Sequence, residues 1–258
     1  MTSKQARSIE TNQIDIHNDL TKLVARHQEM QFAKPIASHT QKAFDRVLSF
    51  LDGWQADVII DACCGVGEST LKIANKFPNA KVIGIDKSIA RLDKHASYAE
   101  LNKSHYKEQS TIISNNNYIL VQADLIDFWR LLNSTLNNVE NAPKWQVTQQ
   151  FILYPNPYPK KAQIGKRWYA SAIFPYLLNV CPTLELRSNW KLYLQECLIA
   201  ANHYGLNGDI SEIQINKLGK DSFSLNGLDE AFTPFERKYL ESGQTCFKLV
   251  IRPEGVDK

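Results

Sequence analysis

Three acidic residues end three short apolar runs, and a pair of glycines follows the first. The run that closes on Asp61 continues as DACCGVGEST, which sets Gly65 and Gly67 two positions apart before a helix expected from about Glu68. Such a turn lets backbone approach a ligand where a side chain would collide, and the helix start beside it offers free amide hydrogens. Asp86 ends the second run, 25 positions beyond Asp61, and Asp124 ends the third. A carboxylate placed after the second strand of a nucleotide-binding sheet accepts the hydrogens of both ribose hydroxyls. Asp124 can accept from an adenine amino group, or it can cap the next helix, because Asp is a preferred N-cap residue. Glycine pairs are common in tight turns, so the register of the acids is what gives this one its meaning.

NAD and S-adenosylmethionine (SAM) are both bound by this geometry. A dinucleotide site wants a third glycine so that helix amides can hold a pyrophosphate, and that position here is Thr70. Glu68, read as facing the ligand, would repel a pyrophosphate but suits a methionine ammonium or a sulfonium. SAM is therefore the expected cofactor.

The fourth apolar run leads into FILYPNPYPKKAQIGKRW, residues 151–168. From Pro157 to Gln195 there are six basic residues (Lys160, Lys161, Lys166, Arg167, Arg187, Lys191) against the single acid Glu185, although the whole chain carries only +3. Lys160, Lys161, Lys166 and Arg167 could hold phosphates that flank an exposed base, or form a solvated face. Tyr158 and Trp168 could stack a base or sugar, or belong to the local core. The scattered histidines and five cysteines have no metal-ligand spacing, so no metal is expected. No G-x-S-x-G elbow occurs.

The elements that must position these residues follow from hydrophobic period. The runs 58–61, 81–86, 118–124 and 150–155 are nearly continuous in apolar residues, as strands covered on both faces are. Stretches of helical composition lie between them, near 69–76, 89–101 and 125–136, with an earlier helix over 36–51 and a later one over 169–180. Further strands are expected near 191–195, 211–216 and 247–251, and Asn115, Asn116 and Asn117 mark a loop before the third strand. Alternating strand and helix implies a mostly parallel sheet with right-handed crossovers. The expected fold is α/β, with helices on both faces of a twisted sheet and an antiparallel C-terminal strand. Residues 1–33 are expected as a polar arm and 34–258 as a single domain. At 258 residues and 43% hydrophobic the chain can bury a full core without staples. Unpaired cysteine usage and the lack of an apolar leader or membrane-length run imply a reducing cytoplasm and no membrane.

The PNPYPKK stretch with its basic continuation, DACCGVGEST, VIGID, and TPFERKYLESGQTCFKL near the C-terminus together resemble the bacterial tRNA (guanine-N7)-methyltransferase family over about residues 58–251. That family carries a Pro-Asp-Pro-Trp-Pro-Lys-Lys motif after its fourth strand and a Thr-x-x-Glu with a later glycine. The resemblance implies a Rossmann-like methyltransferase fold, SAM as cofactor and tRNA as partner. It implies SAM contacts at Asp61, Gly65, Gly67, Asp86 and Asp124. Substrate contacts fall on Lys160, Glu196 and Thr233, with Lys161, Lys166 and Arg167 beside them, and the catalytic positions on Asn156 and Glu236. The chain departs from the family pattern at Cys63 (for a glycine), Asn156 (for Asp), Tyr158 (for Trp), Gln163 (for His) and Glu196 (for Asp).

Guanine N7 presents a lone pair in the ring plane, so its methylation needs alignment at about 3–3.5 Å and charge stabilisation rather than a strong base. A carboxylate accepting from the guanine imide edge would bind the transition state better than the ground state, which is the role expected of Glu236. Asn156 can accept through its amide oxygen but brings no negative charge. Three other outcomes stay open: methylation of an exocyclic amine, an RNA- or SAM-binding protein without turnover, and a small-molecule methyltransferase.

Overall fold

A computed structural model describes residues 6–99, 112–114, 117–213 and 231–253. Eight strands form one sheet: β1 (Asp57–Ala62), β2 (Lys81–Asp86), β3 (Ile112–Ser114), β4 (Tyr118–Gln122), β5 (Gln146–Leu153), β6 (Leu184–Ser188), β7 (Leu206–Glu212) and β8 (Phe247–Pro253). Their spatial order is β3-β4-β2-β1-β5-β6-β8-β7. The five strands from β4 to β6 run parallel, β3 pairs antiparallel with β4, and β8 lies antiparallel between β6 and β7. This is the mixed, mostly parallel sheet that the alternation of runs implied. The chain moves outward from β1 through β2 to β4, then returns to start the other half at β5. Loops therefore diverge above the carboxyl ends of β1 and β5, and a crevice opens there.

Nine helices surround the sheet among the described residues: α1 (Leu20–Gln28), α2 (Ser38–Phe50), α3 (Glu68–Lys76), α4 (Ile89–Leu92), α5 (Ala96–Ala99), α6 (Leu125–Leu136), α7 (Phe174–Val180), α8 (Lys191–His203) and α9 (Pro234–Glu241). Because strand side chains alternate, β1 sends Val58 and Ile60 to one core and Ile59 to the other. The first core holds Phe44, Phe128, Trp129, Phe174 and Leu194, from α2, α6, α7 and α8; the second, smaller core holds Ile73 and Ala74 of α3. Both faces are thus covered, which accounts for the unbroken apolar runs.

Two expectations change. The stretch 191–195 is the first part of α8, not a strand. KLYLQ alternates over five residues, but the buried positions Tyr193, Leu194, Cys197, Ala200 and Ala201 recur at helical spacing. The strand in that region is β6, whose LELRS sequence buries Arg187 and keeps Glu185 half-buried beside it. The helix over 89–101 breaks between α4 and α5 at residues 93–95. Asn115, Asn116, residues 100–101 and residues 214–216 lie outside the described residues. No helix among the described residues is long and apolar enough to cross a membrane.

A polar side chain joins the layers. Gln150 is fully buried on β5; its carbonyl oxygen accepts from the Trp129 indole at 3.0 Å, and its amide nitrogen donates to the carbonyls of Leu177 (2.8 Å) and Cys181 (2.7 Å). One residue thereby satisfies α6 and the end of α7 together. Gln150→Leu strands the Trp129 indole N–H and the Cys181 carbonyl and is expected to cost about 2 kcal/mol or more, measured by denaturant unfolding.

Candidate active site

The crevice is a cavity of about 630 Å³, in the range of nucleoside-sized ligand pockets. Its floor comes from the turn after β1 (Cys63 to Val66), its sides from Asp86 and Asp124, and its mouth from Asn156, Tyr158, Lys166, Trp168, Thr233 and Phe235. Residues from opposite ends of the sequence are thus brought to one opening by the sheet reversal.

The acids do different work. Asp86 is 2% exposed, accepts from the backbone N–H of Gly65 (3.0 Å) and Ser88 (2.8 Å), and pairs with Arg91 at 3.3 Å. A carboxylate offers about four lone-pair directions, so one remains for a ligand hydroxyl. Asp124 lines the cavity while its Oδ1 caps α6, accepting from Ile126 N (2.9 Å) and Asp127 N (3.3 Å). Asp61 does not line the cavity. It is fully buried, and its Oδ2 accepts from the Ser69 and Thr70 hydroxyls at 2.7 and 2.6 Å. Its Oδ1 finds no partner among the described residues. Burial pushes its carboxyl up to about 6, only partly opposed by those two hydroxyls.

The two glycines also separate. Gly65 has φ of 63°, and a Cβ built there would stand in open space. Gly67 has φ of 76° and is packed from behind: a Cβ would meet Leu120 Cδ1 at 2.5 Å and His95 Nδ1 at 2.6 Å. Gly65 gives backbone access to the cavity, whereas Gly67 permits close approach of the turn to β4. The bare backbone over Gly65 and the free acceptor on Asp86 fit a ligand carrying ribose hydroxyls, as SAM does.

Other expected positions fall elsewhere. Glu68 does not face the ligand; it is 6% exposed and pairs with Lys72 (3.0 Å) and bidentately with Arg237 (2.9 and 3.0 Å), tying α3 to α9. The charge repulsion assigned to it against a pyrophosphate therefore has no basis. Glu196 and Arg167 are both fully buried and joined at 2.5 Å, so neither is placed to touch a substrate. Glu236 is fully buried, held by Arg187 at 3.0 and 3.2 Å and by the Phe232 N–H at 3.3 Å, and is not in the cavity wall. Its expected contact with a guanine edge is not supported. Thr233 lines the mouth and caps α9, accepting from Glu236 N at 3.0 Å. Asn156 is exposed at the mouth, with its amide oxygen accepting from Tyr158 N at 3.3 Å. Lys160 and Lys161 are exposed beside the loop and Lys166 reaches the mouth. With Arg167 and Arg187 buried and paired, only lysines remain of the basic stretch as surface charge.

Sequence reasoning missed four groups. Lys87, Arg91 and Lys94 bring positive charge to the cavity, and Phe235, 50% exposed, sets an aromatic ring at its mouth. A cluster of cations after the second strand was the available signal for the first three. Phe235 stands inside the Thr-x-x-Glu stretch, where nothing in its spacing marked it. Cys63, Tyr154 and Tyr158 line the same cavity with positive φ of 62°, 52° and 44°. No group of three or more metal-ligating side chains occurs among the described residues.

Two outcomes follow from this geometry. Gly67→Ala is expected to cost about 2 kcal/mol or more of stability, while Gly65→Ala lowers SAM affinity with the smaller loss, read by thermal unfolding and calorimetric titration. The raised Asp61 pKa means that the fold binds this proton more tightly than the unfolded chain does. Its contribution is therefore favourable below about pH 4 and is lost as pH rises to about 6, by about 3 kcal/mol in all. Denaturation across pH 4–7 is expected to show that decline in the natural chain and to lose it in Asp61→Asn.

Comparison with known proteins gives the arrangement its family. Residues 55–249 match the family model Methyltransf_4, described as "Putative methyltransferase". A search of curated proteins returns no match. Among solved structures, the chain is similar to the 16S rRNA methyltransferase KamB (16% identity, 85% of this chain and 97% of that one, TM-score 0.48). It is also similar to an antibiotic-related methyltransferase (19%, 81% and 93%, 0.47). A third is a 16S rRNA (adenine(1408)-N(1))-methyltransferase from Catenulisporales acidiphilia, solved with SAM (13%, 83% and 93%, 0.45). With three quarters of its length matched by the model, its Rossmann-like sheet and its nucleoside-sized crevice, the chain belongs to the Methyltransf_4 family, that of the tRNA (guanine-N7)-methyltransferases, and its cofactor is SAM.

Proposed function

We propose that the protein is a cytoplasmic tRNA methyltransferase acting at guanine N7, with residues 34–258 as its one catalytic domain and residues 1–33 as an arm. One observation carries the reading: the same cavity runs from the acid and glycine turn to Asn156, Lys166 and Phe235 at its mouth. When bound, SAM supplies an electrophilic methyl group. Asp86 and Asp124 are positioned to accept from its hydroxyl and amino hydrogens, while Asp61, outside the cavity wall, braces the start of α3 through the Ser69 and Thr70 hydroxyls. Phe235 offers a face on which a purine stacks, worth about 1–3 kcal/mol per base. Asn156 orients the base through its amide rather than by removing a proton, which a lone pair on N7 does not require. Lys160, Lys161 and Lys166 lie where phosphates beside an extruded base would pass, giving position and salt dependence but no sequence preference. Glu236 serves the site indirectly: its pairing with Arg187 and its hold on Phe232 fix the start of α9, and with it Thr233 and Phe235.

Transfer of a labelled methyl group to unmodified tRNA, followed by mass analysis of the nucleosides, tests this directly. The expected product is 7-methylguanosine; a methyl on an exocyclic nitrogen, or SAM binding without transfer, overturns the N7 assignment. Phe235→Ala is expected to weaken tRNA binding about tenfold with SAM affinity unchanged. Lys160→Ala is expected to lower the salt slope of tRNA binding by about one.

A further inference from the structure

Residues 6–17 precede the segment matched by the family model, yet they touch the loop at the mouth of the cavity and the C-terminal end of α9. The Ala6 N–H donates to Ser242 Oγ at 2.9 Å, and Gln244 Nε2 donates to the Ala6 carbonyl at 3.0 Å. Thr11 Oγ1 donates to the Pro159 carbonyl at 2.6 Å, and the Lys161 N–H donates to Asn12 Oδ1 at 2.8 Å. Gln13, 4% exposed, then enters the buried pair, donating to Glu196 Oε1 at 2.7 Å and accepting from Arg167 Nη2 at 3.0 Å. Arg167 in turn donates through Nε and Nη2 to the Tyr158 carbonyl at 3.2 and 3.1 Å.

The geometry points to Thr11, Asn12 and Gln13 as positioning residues that clamp the Asn156–Lys161 loop in its substrate-receiving shape. This rests on the tRNA reading above for what the loop receives. Pro157 and Pro159 inside the loop and Pro155 just before it have no N–H groups, so it cannot form a ladder, and its own hydrogen bonds are local ones among Asn156, Tyr158, Lys160 and Gln163. Tyr158 sits at φ of 44°, a conformation that persists in a bulky residue only where surroundings impose it. The arm supplies that imposition at Tyr158 through Arg167 and just after it at Pro159 and Lys161 directly.

Thr11 and Asn12 are exposed, so replacing them opens no buried hole. Removing one hydrogen bond of this kind corresponds to about a fivefold effect. In Thr11→Val/Asn12→Ala the Lys161 amide is expected to exchange with deuterium at least about fivefold faster. The KM for tRNA is expected to rise by about five- to tenfold, with SAM affinity and thermal midpoint unchanged. Thr11→Ser keeps the hydroxyl donor and is expected to restore the natural KM where Thr11→Val does not. Unchanged Lys161 exchange, or an unchanged KM, overturns the clamp, as does a SAM affinity that falls in step with activity. A natural chain that transfers nothing to tRNA overturns the functional reading instead, and the Lys161 amide alone then decides the clamp.

Discussion

A carboxylate and a guanidinium without solvent, Glu196 against Arg167, form the point on which the substrate side of the molecule turns. Two charges withdrawn from water are costly unless their remaining lone pairs and hydrogens are met, and here they are. Glu196 accepts from Gln13 Nε2, the His17 N–H, Tyr169 Oη and Arg167; Arg167 spends its other donors on Gln13 and the Tyr158 carbonyl. Four segments therefore meet at one buried centre: the arm, the proline-rich loop, the residues that follow it, and α8. An apolar replacement could fill the volume but could not fix all four relative to one another.

The cofactor side is organised by a different constraint, the parallel alignment of β1, β2 and β4, whose carboxyl ends all open on the crevice beside the point where strand order reverses at β5. It brings the glycine turn, Asp86 and Asp124, from three separate strand ends, to one wall of the cavity. Side-chain size then divides labour within the turn, since the absent Cβ at Gly65 leaves backbone open to the cavity while the one at Gly67 leaves room for His95 and Leu120. A second fully buried pair, Arg187 with Glu236, does for α9 what Arg167 and Glu196 do for the loop. The basic stretch of the sequence was in this sense two populations, arginines that build and lysines that face water.

The fold was readable because its central strands are buried on both sides and so are mostly apolar; β1, β2, β4 and the end of β5 declared themselves this way. β6 did not, because Glu185 and Arg187 hide charges that tertiary pairing neutralises, and α8 imitated a strand over five alternating residues. The acids and the glycine turn were legible since their chemistry depends on local spacing. The separate fates of Gly65 and Gly67, of Glu68, and of Glu196 and Glu236 were not, because each depends on groups that only the tertiary fold brings near. The arm was opaque for the same reason: its polar residues read as solvated, while Gln13 and His17 are in fact interior.

Cys63, Tyr154 and Tyr158 share one property besides their place around the cavity: each holds a left-handed backbone that a side chain resists. At about 1–3 kcal/mol apiece, against a domain stability of about 5–15 kcal/mol, this tension is a large share of the whole. Drift toward sturdier sequences would relax these three positions first, slackening the rim of the crevice while leaving the sheet beneath it untouched. Thermal robustness and a well-formed opening are therefore opposing demands on this chain.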